Sequence, residues 1–248
     1  MFHLLANYGS LAAGPSQVPA IATEQIFARN ATPNYLMPYD MQAFGLYALG
    51  GLLLRVQVQN PFLRIIQAPY INPINGTAAN RIFEQVQDLR DYPIPYKSTE
   101  EIVYSATNSG AGPTDTTVFT WLRQTHVPAP RGTYYTLRLT STTASVASAW
   151  TDITTTNDFN LPAGKYAVIG GVYYGATALA FRCIFDGGFF RPGGLGFATE
   201  GLTPTPLQIN GNSGLWGYFD LNTIPRIQVF NGAVVAVHTI YLQCVKVA

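Results

Sequence analysis

Short apolar segments with a period of two, separated by turns rich in Gly and Pro, most restrict the fold of this chain. The clearest example is residues 161–185, LPAGKYAVIGGVYYGATALAFRCIF, in which apolar side chains alternate between two faces before and after YGAT. Because both faces are mostly apolar, each half is typical of a β-strand that is covered on both sides. We predict a long hairpin here, with Gly175 supplying a positive φ at the turn.

The same segment does not fit a phosphate-binding loop. Such a loop requires G-x-x-x-x-G-K-S/T at the start of a helix, whereas Lys165 precedes the later glycines Gly170, Gly171 and Gly175. These glycines do not form the G-x-G-x-x-G pattern of a dinucleotide site either. The sequence therefore favours the hairpin over a nucleotide-binding site.

Strand-like segments continue to the C-terminus, and no helix longer than about eight residues is predicted after residue 40. TNSGAGPTDT at 107–116 and the Asn231–Gly232 pair are further hairpin signals. We expect an all-β chain with a jelly-roll β-sandwich fold of two stacked rolls. A single roll with an elaborated N-terminal region is the alternative.

The punctuation of the chain predicts three parts. Residues 1–40 form an N-terminal arm with short helices over 2–12 and 22–29. Residues 41–130 form a first β-sandwich unit and residues 131–248 a second, with the boundary in VPAPRG at 127–132. The strands of the second unit are predicted at 134–140, 146–152, 165–174, 177–185, 206–210, 215–219, 226–230 and 233–246.

The charge content is low. Only 11% of the residues are charged, with 14 basic and 13 acidic side chains, whereas ordinary domains carry about 25%. No run of Lys and Arg occurs, so we expect no sequence-specific nucleic-acid partner. A surface with so few charges indicates that part of it is buried against other chains.

Candidate catalytic and metal-binding residues do not cluster. His3, His126 and His238 are not at metal-ligand spacing, and we expect His238 to be a hydrogen-bonded core or interface residue. Cys183 and Cys244 each lie within a predicted strand and are expected to be buried. Paired carboxylates for glycoside hydrolysis are not evident. We therefore expect no enzyme activity, no cofactor and no bound metal.

Aromatic residues provide the candidate interface. The segment DGGFFRPGG places Phe189, Phe190 and Arg191 in a glycine-flanked loop, and Trp216 follows in LWGYF. Aromatic side chains with Arg are typical of anchors between chains. The alternative for this loop is that it folds back and caps the sandwich.

The N-terminus has no basic segment ahead of its short apolar stretch, unlike a signal peptide. The longest apolar run, residues 43–54, has 12 residues and is closed by Arg55, which is too short to span a bilayer. We expect a soluble chain that is made in the cytoplasm.

The pattern LPAGKYAVIGGVYYGATALAFRCIF, LWGYF and VAVHTIYLQCVKV resembles the β-sandwich part of virion proteins from tailless icosahedral bacterial viruses. These are the jelly-roll major capsid proteins, including the double-jelly-roll kind that surrounds an internal membrane. The resemblance covers residues 40–248 and implies a structural role without catalytic residues. It also implies homotrimers within a shell, contact with other virion proteins and a membrane contact through the arm. The protein would be located in the virion and made in the host cytoplasm.

Two other functions fit an all-β chain of this kind. One is a trimeric receptor- or carbohydrate-binding head, such as a viral spike domain or a TNF- or C1q-like module. The other is a carbohydrate-active enzyme on a jelly roll, although no acid pair is visible for it. The major capsid protein is the leading interpretation.

Overall fold

The computed structural model of the chain describes residues 2–11, 16–19, 35–36, 39–49, 54–59, 70–71, 87–98, 101–108, 114–158, 161–187, 190–198 and 214–247. Every regular secondary-structure element assigned in these ranges is a β-strand, which confirms the predicted all-β class. The described part of the chain contains no helix long and apolar enough to cross a membrane.

The chain forms two compact units. One consists of Leu5–Thr77 and Ile82–Gln124, and the other consists of Thr125–Ala248 with Met1–Leu4 and Ala78–Arg81. We call them the first roll and the second roll. Strand β1 (Phe2–Leu11) is counted with the first roll because it belongs to a sheet of that unit, although Phe2–Leu4 fall in the second unit. The main division thus falls between Gln124 and Thr125, slightly before the boundary expected at 130/131.

The first roll contains ten strands in its described residues, arranged in two sheets. One sheet has the order β1-β10-β4-β7, with β8 also paired to β4; the other has the order β2-β9-β5-β6, with β3 also paired to β9. The strands are β1 (Phe2–Leu11), β2 (Ser16–Pro19), β3 (Tyr35–Leu36), β4 (Met41–Leu49), β5 (Leu54–Gln59), β6 (Tyr70–Ile71), β7 (Gln87–Asp88), β8 (Ile94–Tyr96), β9 (Glu101–Asn108) and β10 (Thr114–Arg123).

The second roll contains nine strands in its described residues. Their continuous order is β12-β18-β15-β16-β14-β19-β11-β13, with β17 paired to β14. Two sheets meet in it, because β16 pairs antiparallel with β15 and parallel with β14. The strands are β11 (Thr133–Ser141), β12 (Trp150–Ile153), β13 (Thr156–Asn157), β14 (Lys165–Tyr174), β15 (Ala178–Ile184), β16 (Gly193–Phe197), β17 (Gly217–Asp220), β18 (Arg226–Asn231) and β19 (His238–Lys246).

The strand order identifies each unit as a jelly roll. Leaving aside the short additional strands β3, β8 and β13, eight strands remain in each unit and can be counted along the chain. In both units the first, eighth, third and sixth strands form one sheet, and the second, seventh, fourth and fifth form the other. This order is that of the jelly roll, a double sheet built from two Greek keys. The prediction of two rolls is therefore confirmed over the single-roll alternative.

The expected N-terminal helix is wrong. Residues 2–11 form strand β1, and Phe2, Leu4, Leu5 and Ala6 are buried. Their side chains are covered on both faces, so tertiary packing decides the conformation rather than local helix propensity. The second helix, expected over 22–29, lies outside the described residues.

The three expected hairpins are also wrong, although the strands that flank them exist. Strands β14 and β15 are not paired with each other and lie in the two different sheets that meet at β16, as do β18 and β19. Strands β9 and β10 also belong to different sheets. Gly175 and Gly232 do not have the positive φ of hairpin turns. In a jelly roll these connections cross from one sheet to the other, so each turn joins strands that are not hydrogen-bonded to each other.

Strand β16 occupies a segment that the sequence indicated to be a loop. Its glycines pack where a side chain would collide: a Cβ on Gly193 would overlap the Phe181 carbonyl oxygen, and one on Gly196 would lie 2.6 Å from a Tyr173 ring carbon. The fifth strand is therefore at 193–197, and the strand expected at 206–210 lies outside the described residues.

Candidate functional site

Three loops of the second roll meet at one end of its sandwich. Each joins a strand of one sheet to a strand of the other. The Ser145 amide donates to the Val235 carbonyl (2.8 Å), and the Gly232 amide donates to the Thr177 carbonyl (3.0 Å). We call this surface the loop end. Its loops are residues 142–149, 175–177 and 232–237.

The three described loops of the loop end carry no formal charge. Its loops have the sequences TTASVASA, GAT and GAVVAV, which contain no acidic or basic residue. Val146, Val234 and Val237 are 59%, 67% and 67% exposed. A shallow pocket of about 460 Å³ lies among Tyr174, Ala198 and the 234–237 segment. Contiguous exposed apolar patches can mark contact surfaces, which makes the loop end a candidate for one.

A buried hydrogen-bond network holds the loop end together. The Tyr173 hydroxyl lies 2.7 Å from Asn231 Oδ1 and 2.7 Å from His238 Nδ1, and His238 Nε2 lies 2.9 Å from the Thr143 carbonyl oxygen. These residues come from the end of β14, the end of β18, the start of β19 and the first loop. The network therefore ties all these elements to one another.

The network is neutral at pH 7. Burial lowers the pKa of His238 below its ordinary value, although hydrogen bonds to the Thr143 and Val235 carbonyls oppose this shift. His238 and Asn231 are fully buried. A neutral histidine with both ring nitrogens hydrogen-bonded is a structural residue, as expected from the sequence, and it lends the loop end rigidity rather than reactivity.

A second buried polar cluster lies elsewhere in the second roll. Arg182 donates to Gln228 Oε1 (2.6 Å) and stacks its guanidinium 4.1 Å from the centre of the Trp150 ring. His3 accepts a hydrogen bond from the Arg191 amide (3.1 Å). Burial, together with the charges of Arg182 and Arg191, lowers the pKa of His3 to about 3. His3 is therefore neutral and serves to attach the start of β1.

The predicted interface residues do not all lie on one surface. Trp216 is buried, with 5% of its surface exposed, and packs against Phe181 at a ring-centroid distance of 5.9 Å. Phe190 and Arg191 are half-buried, and Phe189 lies outside the described residues. Trp216 thus packs within its own chain. The role of the other three between chains stays a prediction.

The exposed valines were missed in the sequence because single valines in loops give no periodic signal. The available signal was the absence of charge in GAVVAV and TTASVASA. The network was missed for another reason. Thr143, Tyr173, Asn231 and His238 are far apart in the sequence, and only the crossing of strands between sheets brings them together.

Metal-binding groups and reactive thiols were sought among the described residues of the chain. No cluster of three or more His, Cys, Asp or Glu side chains capable of holding a metal occurs there. Burial raises the pKa of the Cys183 thiol far above its usual range and that of Cys244 to about 12, so both remain protonated. Neither thiol is a nucleophile at neutral pH.

A second open pocket, of about 480 Å³, lies where β12 and β13 approach the 221–226 segment. Asp152, Asn157, Asn222 and Arg226 contribute polar groups to it. Among the described residues its lining includes no aromatic side chain, so it offers no flat apolar face on which a ring could stack.

Comparisons with known proteins give little support of their own. No protein-family model matches the chain, and no curated protein matches it. Among solved structures, the chain is similar to the major capsid protein P2 from Bacteriophage PM2. The match covers 100% of this chain and 98% of that chain, with 10% identity and a TM-score of 0.25. A likeness this weak supports no conclusion about this chain, whose fold is assigned from its own strand order.

Proposed function

We propose that this chain is a structural virion protein, a major capsid protomer that self-associates into an icosahedral shell. The observation that carries the proposal is the presence of two jelly rolls with the same strand order in one chain. Jelly rolls are the building blocks of viral capsids as well as of lectin domains. A fold does not define a function, so the surface must distinguish the two.

The surface favours assembly. The sequence has 14 basic and 13 acidic residues among 248, well below the charge density that keeps a soluble monomer dispersed. The loop end adds three exposed valines in loops that contain no charged residue. We propose homotrimers as the first step, with no enzyme activity, no metal and no nucleic-acid specificity. The protein would reside in the virion after synthesis in the host cytoplasm, in contact with other virion proteins.

The membrane contact that the resemblance implies for the arm, residues 1–40, stays a prediction. The resemblance placed that contact on the N-terminal arm, but Phe2, Leu4 and Leu5 are buried within this chain. Side chains buried in their own domain are not available to a lipid surface.

Sedimentation velocity at micromolar concentration, in low and high salt (about 0.05 and 0.5 M), tests the proposal. We expect a species at least three times the 27.0 kDa chain mass in both salts, because apolar contacts are weakly screened. Negative-stain microscopy of the same samples then separates shells from isolated trimers. A 27.0 kDa monomer in both salts would refute self-assembly, and isolated trimers that bind a receptor or glycan would favour the spike alternative.

A further inference from the structure

The buried network beneath the loop end contains three side chains that can exchange the roles of donor and acceptor. The Tyr173 hydroxyl lies 2.7 Å from both Asn231 Oδ1 and His238 Nδ1. On the other side of the ring, His238 Nε2 lies 2.9 Å from the Thr143 carbonyl oxygen. A hydroxyl, an amide and an imidazole each contain groups that donate and groups that accept. The network therefore has more than one hydrogen-bonded arrangement.

We infer that this network is a proton-linked switch with two hydrogen-bonded states, in which His238 gains a second ring proton in acid while the second roll stays folded. Reversal of the Tyr173 hydroxyl and a half-turn of the Asn231 amide interconvert the two states. The inference concerns one roll of a single chain, so it does not depend on the proposed capsid function.

In the neutral state all links run in one direction along the network. The Asn231 amide donates to the Tyr173 hydroxyl oxygen, and the hydroxyl donates to His238 Nδ1. Nε2 of the same ring donates to the Thr143 carbonyl oxygen. A neutral imidazole has one nitrogen that donates and one that accepts, so this arrangement uses both.

In the acid state the first two links are reversed. A proton from solvent binds to His238 Nδ1, which then donates to the Tyr173 hydroxyl oxygen. Tyr173 keeps its own proton and turns it towards Asn231 Oδ1. Because a half-turn of the amide only exchanges Oδ1 and Nδ2, the 2.7 Å distance to the hydroxyl serves both states. Nε2 still donates to the Thr143 carbonyl, so the network keeps three hydrogen bonds in either state.

The described elements around His238 supply no charge to it. Tyr173 faces it from β14, Ser141 pairs with it from β11, and the loops present the carbonyls of Thr143 and Val235. Of these groups only the Tyr173 hydroxyl titrates. Among the described residues, no charged side chain contributes to the shift in the pKa of His238.

Burial therefore decides which state is occupied at pH 7. His238 and Asn231 are fully buried, so the acid state removes a positive charge from water and leaves Asn231 Nδ2 without a partner. The two carbonyls favour the added proton, but burial has the larger effect and lowers the pKa of His238 below its ordinary value of 6.5. The neutral state is complete above that pH, and the acid state is populated as the pH falls below it.

Isotope-labelled histidine, observed by magic-angle-spinning NMR between about pH 7.5 and about pH 4, tests the switch. This measurement suits shells and monomers equally, and a His238→Gln variant identifies the ring resonances of His238. We expect a second proton on the ring with a midpoint below pH 6.5, while tryptophan fluorescence shows that the second roll remains folded. The side-chain amide resonance of Asn231 should change with the same midpoint, because the amide turns when the ring is protonated.

Two substitutions of Asn231 distinguish a switch from a network that only stabilises the fold. A carboxylate only accepts, so Asn231→Asp favours the acid state and should raise the pKa of His238 by about one unit or more. Leucine accepts nothing, so Asn231→Leu removes the acceptor that the Tyr173 proton needs in acid. It should lower the pKa of His238 by about one unit or more. Loss of packing alone does not predict opposite shifts.

Thr177→Val is the matched control. The Thr177 hydroxyl donates to the Ala233 carbonyl (3.2 Å) and accepts from the Ala233 amide (3.1 Å), so it joins two of the same loops without belonging to the network. Its removal should leave the midpoint of His238 unchanged. An equally large shift in this variant would mean that loosening of the loops sets the pKa of His238, which contradicts the switch.

Three other results would overturn the inference. They are a ring that stays neutral until the roll unfolds, a ring that is protonated while the Asn231 amide resonance stays constant, and Asn231 variants that shift the pKa of His238 in the same direction. If neither Asn231 variant folds, the wild-type titration of ring and amide decides alone. A monomeric wild type would refute the capsid proposal and leave this inference standing.

Discussion

Removing a single hydroxyl group, by Tyr173→Phe, should destabilise the second roll by about 2–6 kcal/mol. The hydroxyl lies 2.7 Å from both Asn231 Oδ1 and His238 Nδ1. Both partners have 0% of their surface exposed, so water cannot take the place of the hydroxyl. Each buried polar group left without a partner costs about 1–3 kcal/mol, and two are left. That sum is a large part of the 5–15 kcal/mol typical of a whole domain.

The positions of the protons show why two polar groups lose their partner in Tyr173→Phe. His238 Nε2 donates to the Thr143 carbonyl oxygen, so Nδ1 of the neutral ring accepts the single proton of the Tyr173 hydroxyl. The hydroxyl then needs a donor, which the Asn231 amide supplies when its NH₂ group faces Tyr173. Hydrogen bonding favours this orientation, because Asn231 Nδ2 is buried without a partner when Oδ1 faces Tyr173 instead. Phenylalanine at this position breaks both links.

Urea unfolding monitored by tryptophan fluorescence measures the effect, because Trp150 and Trp216 both lie in the second roll. The matched control is Tyr241→Phe, which removes a hydroxyl that accepts from Arg138 Nε (3.1 Å) at a half-buried site. Water can replace that bond, so we expect a loss below about 1 kcal/mol. A loss below about 0.5 kcal/mol for Tyr173→Phe, with an unchanged m-value, would refute the reasoning.

Three further predictions concern the second roll. The pKa of His3 is about 3 in the folded chain, against an ordinary value of 6.5, so the unfolded state binds the proton first. The stability contributed by neutral His3 is therefore fully present above about pH 6.5 and is lost as the pH falls. Between pH 7 and pH 5 the free energy of unfolding should decrease by about 2 kcal/mol. The urea midpoint, measured between pH 7 and pH 5, should show this decrease. If His3→Gln has the same pH dependence as the wild type, the prediction is contradicted. Gly193→Ala should lower the melting temperature by about 4 °C or more, because the new Cβ meets backbone atoms. Gly232→Ala, whose nearest atoms lie at 3.9 Å, should melt like the wild type, and equal melting temperatures would contradict the packing argument. Cys183 and Cys244 should resist a thiol reagent at pH 8 in the native protein and react after unfolding in urea; rapid reaction of the native protein would show that they are not buried.

The positions of many strands could be read from the sequence because alternation reports burial. The strand predicted at 165–174 is strand β14 in full, and the strand predicted at 177–185 differs from β15 by one residue at each end. In both, side chains of the two faces are covered, so apolar residues mark nearly every position. The location of such a strand can therefore be read from its own residues.

Strand pairing could not be read in the same way. Gly175 and the Asn231–Gly232 pair were interpreted as hairpin turns, yet the strands on either side of each are not paired and lie in different sheets. A Gly-containing turn of a few residues can either fold two strands onto each other or carry the chain across a sandwich. Which of these occurs depends on partners distant in the sequence, such as the pairing of β19 with β11 and β14.

Strand β16 shows how composition can conceal a strand. Gly193, Gly194 and Gly196 are typical of loops, because glycine weakens strands in general. At Gly193 and Gly196 the lack of a side chain is what admits the strand, since Phe181, Tyr173 and Ala178 occupy the space where Cβ atoms would lie. The candidate surface was concealed similarly, because exposed valines such as Val237 lie in loops without periodicity.

The two rolls share a local irregularity as well as a strand order. In the first roll, Trp121 pairs with Gly45 and Leu122 with Ala43, so Phe44 is an extra residue on the third strand. In the second roll the same strand pair has its irregularity between Val168 and Gly170, with Ile169 as the extra residue.

An extra residue of this kind is a β-bulge, which bends its strand and increases the twist. In both rolls the bulge lies on the third strand where it pairs with the eighth, and a glycine follows it. This arrangement is expected if the sheet curls at the same point in each roll. The sequences around Phe44 and Ile169 share few identities. The correspondence therefore appears only in the hydrogen-bond register, where backbone geometry is compared directly.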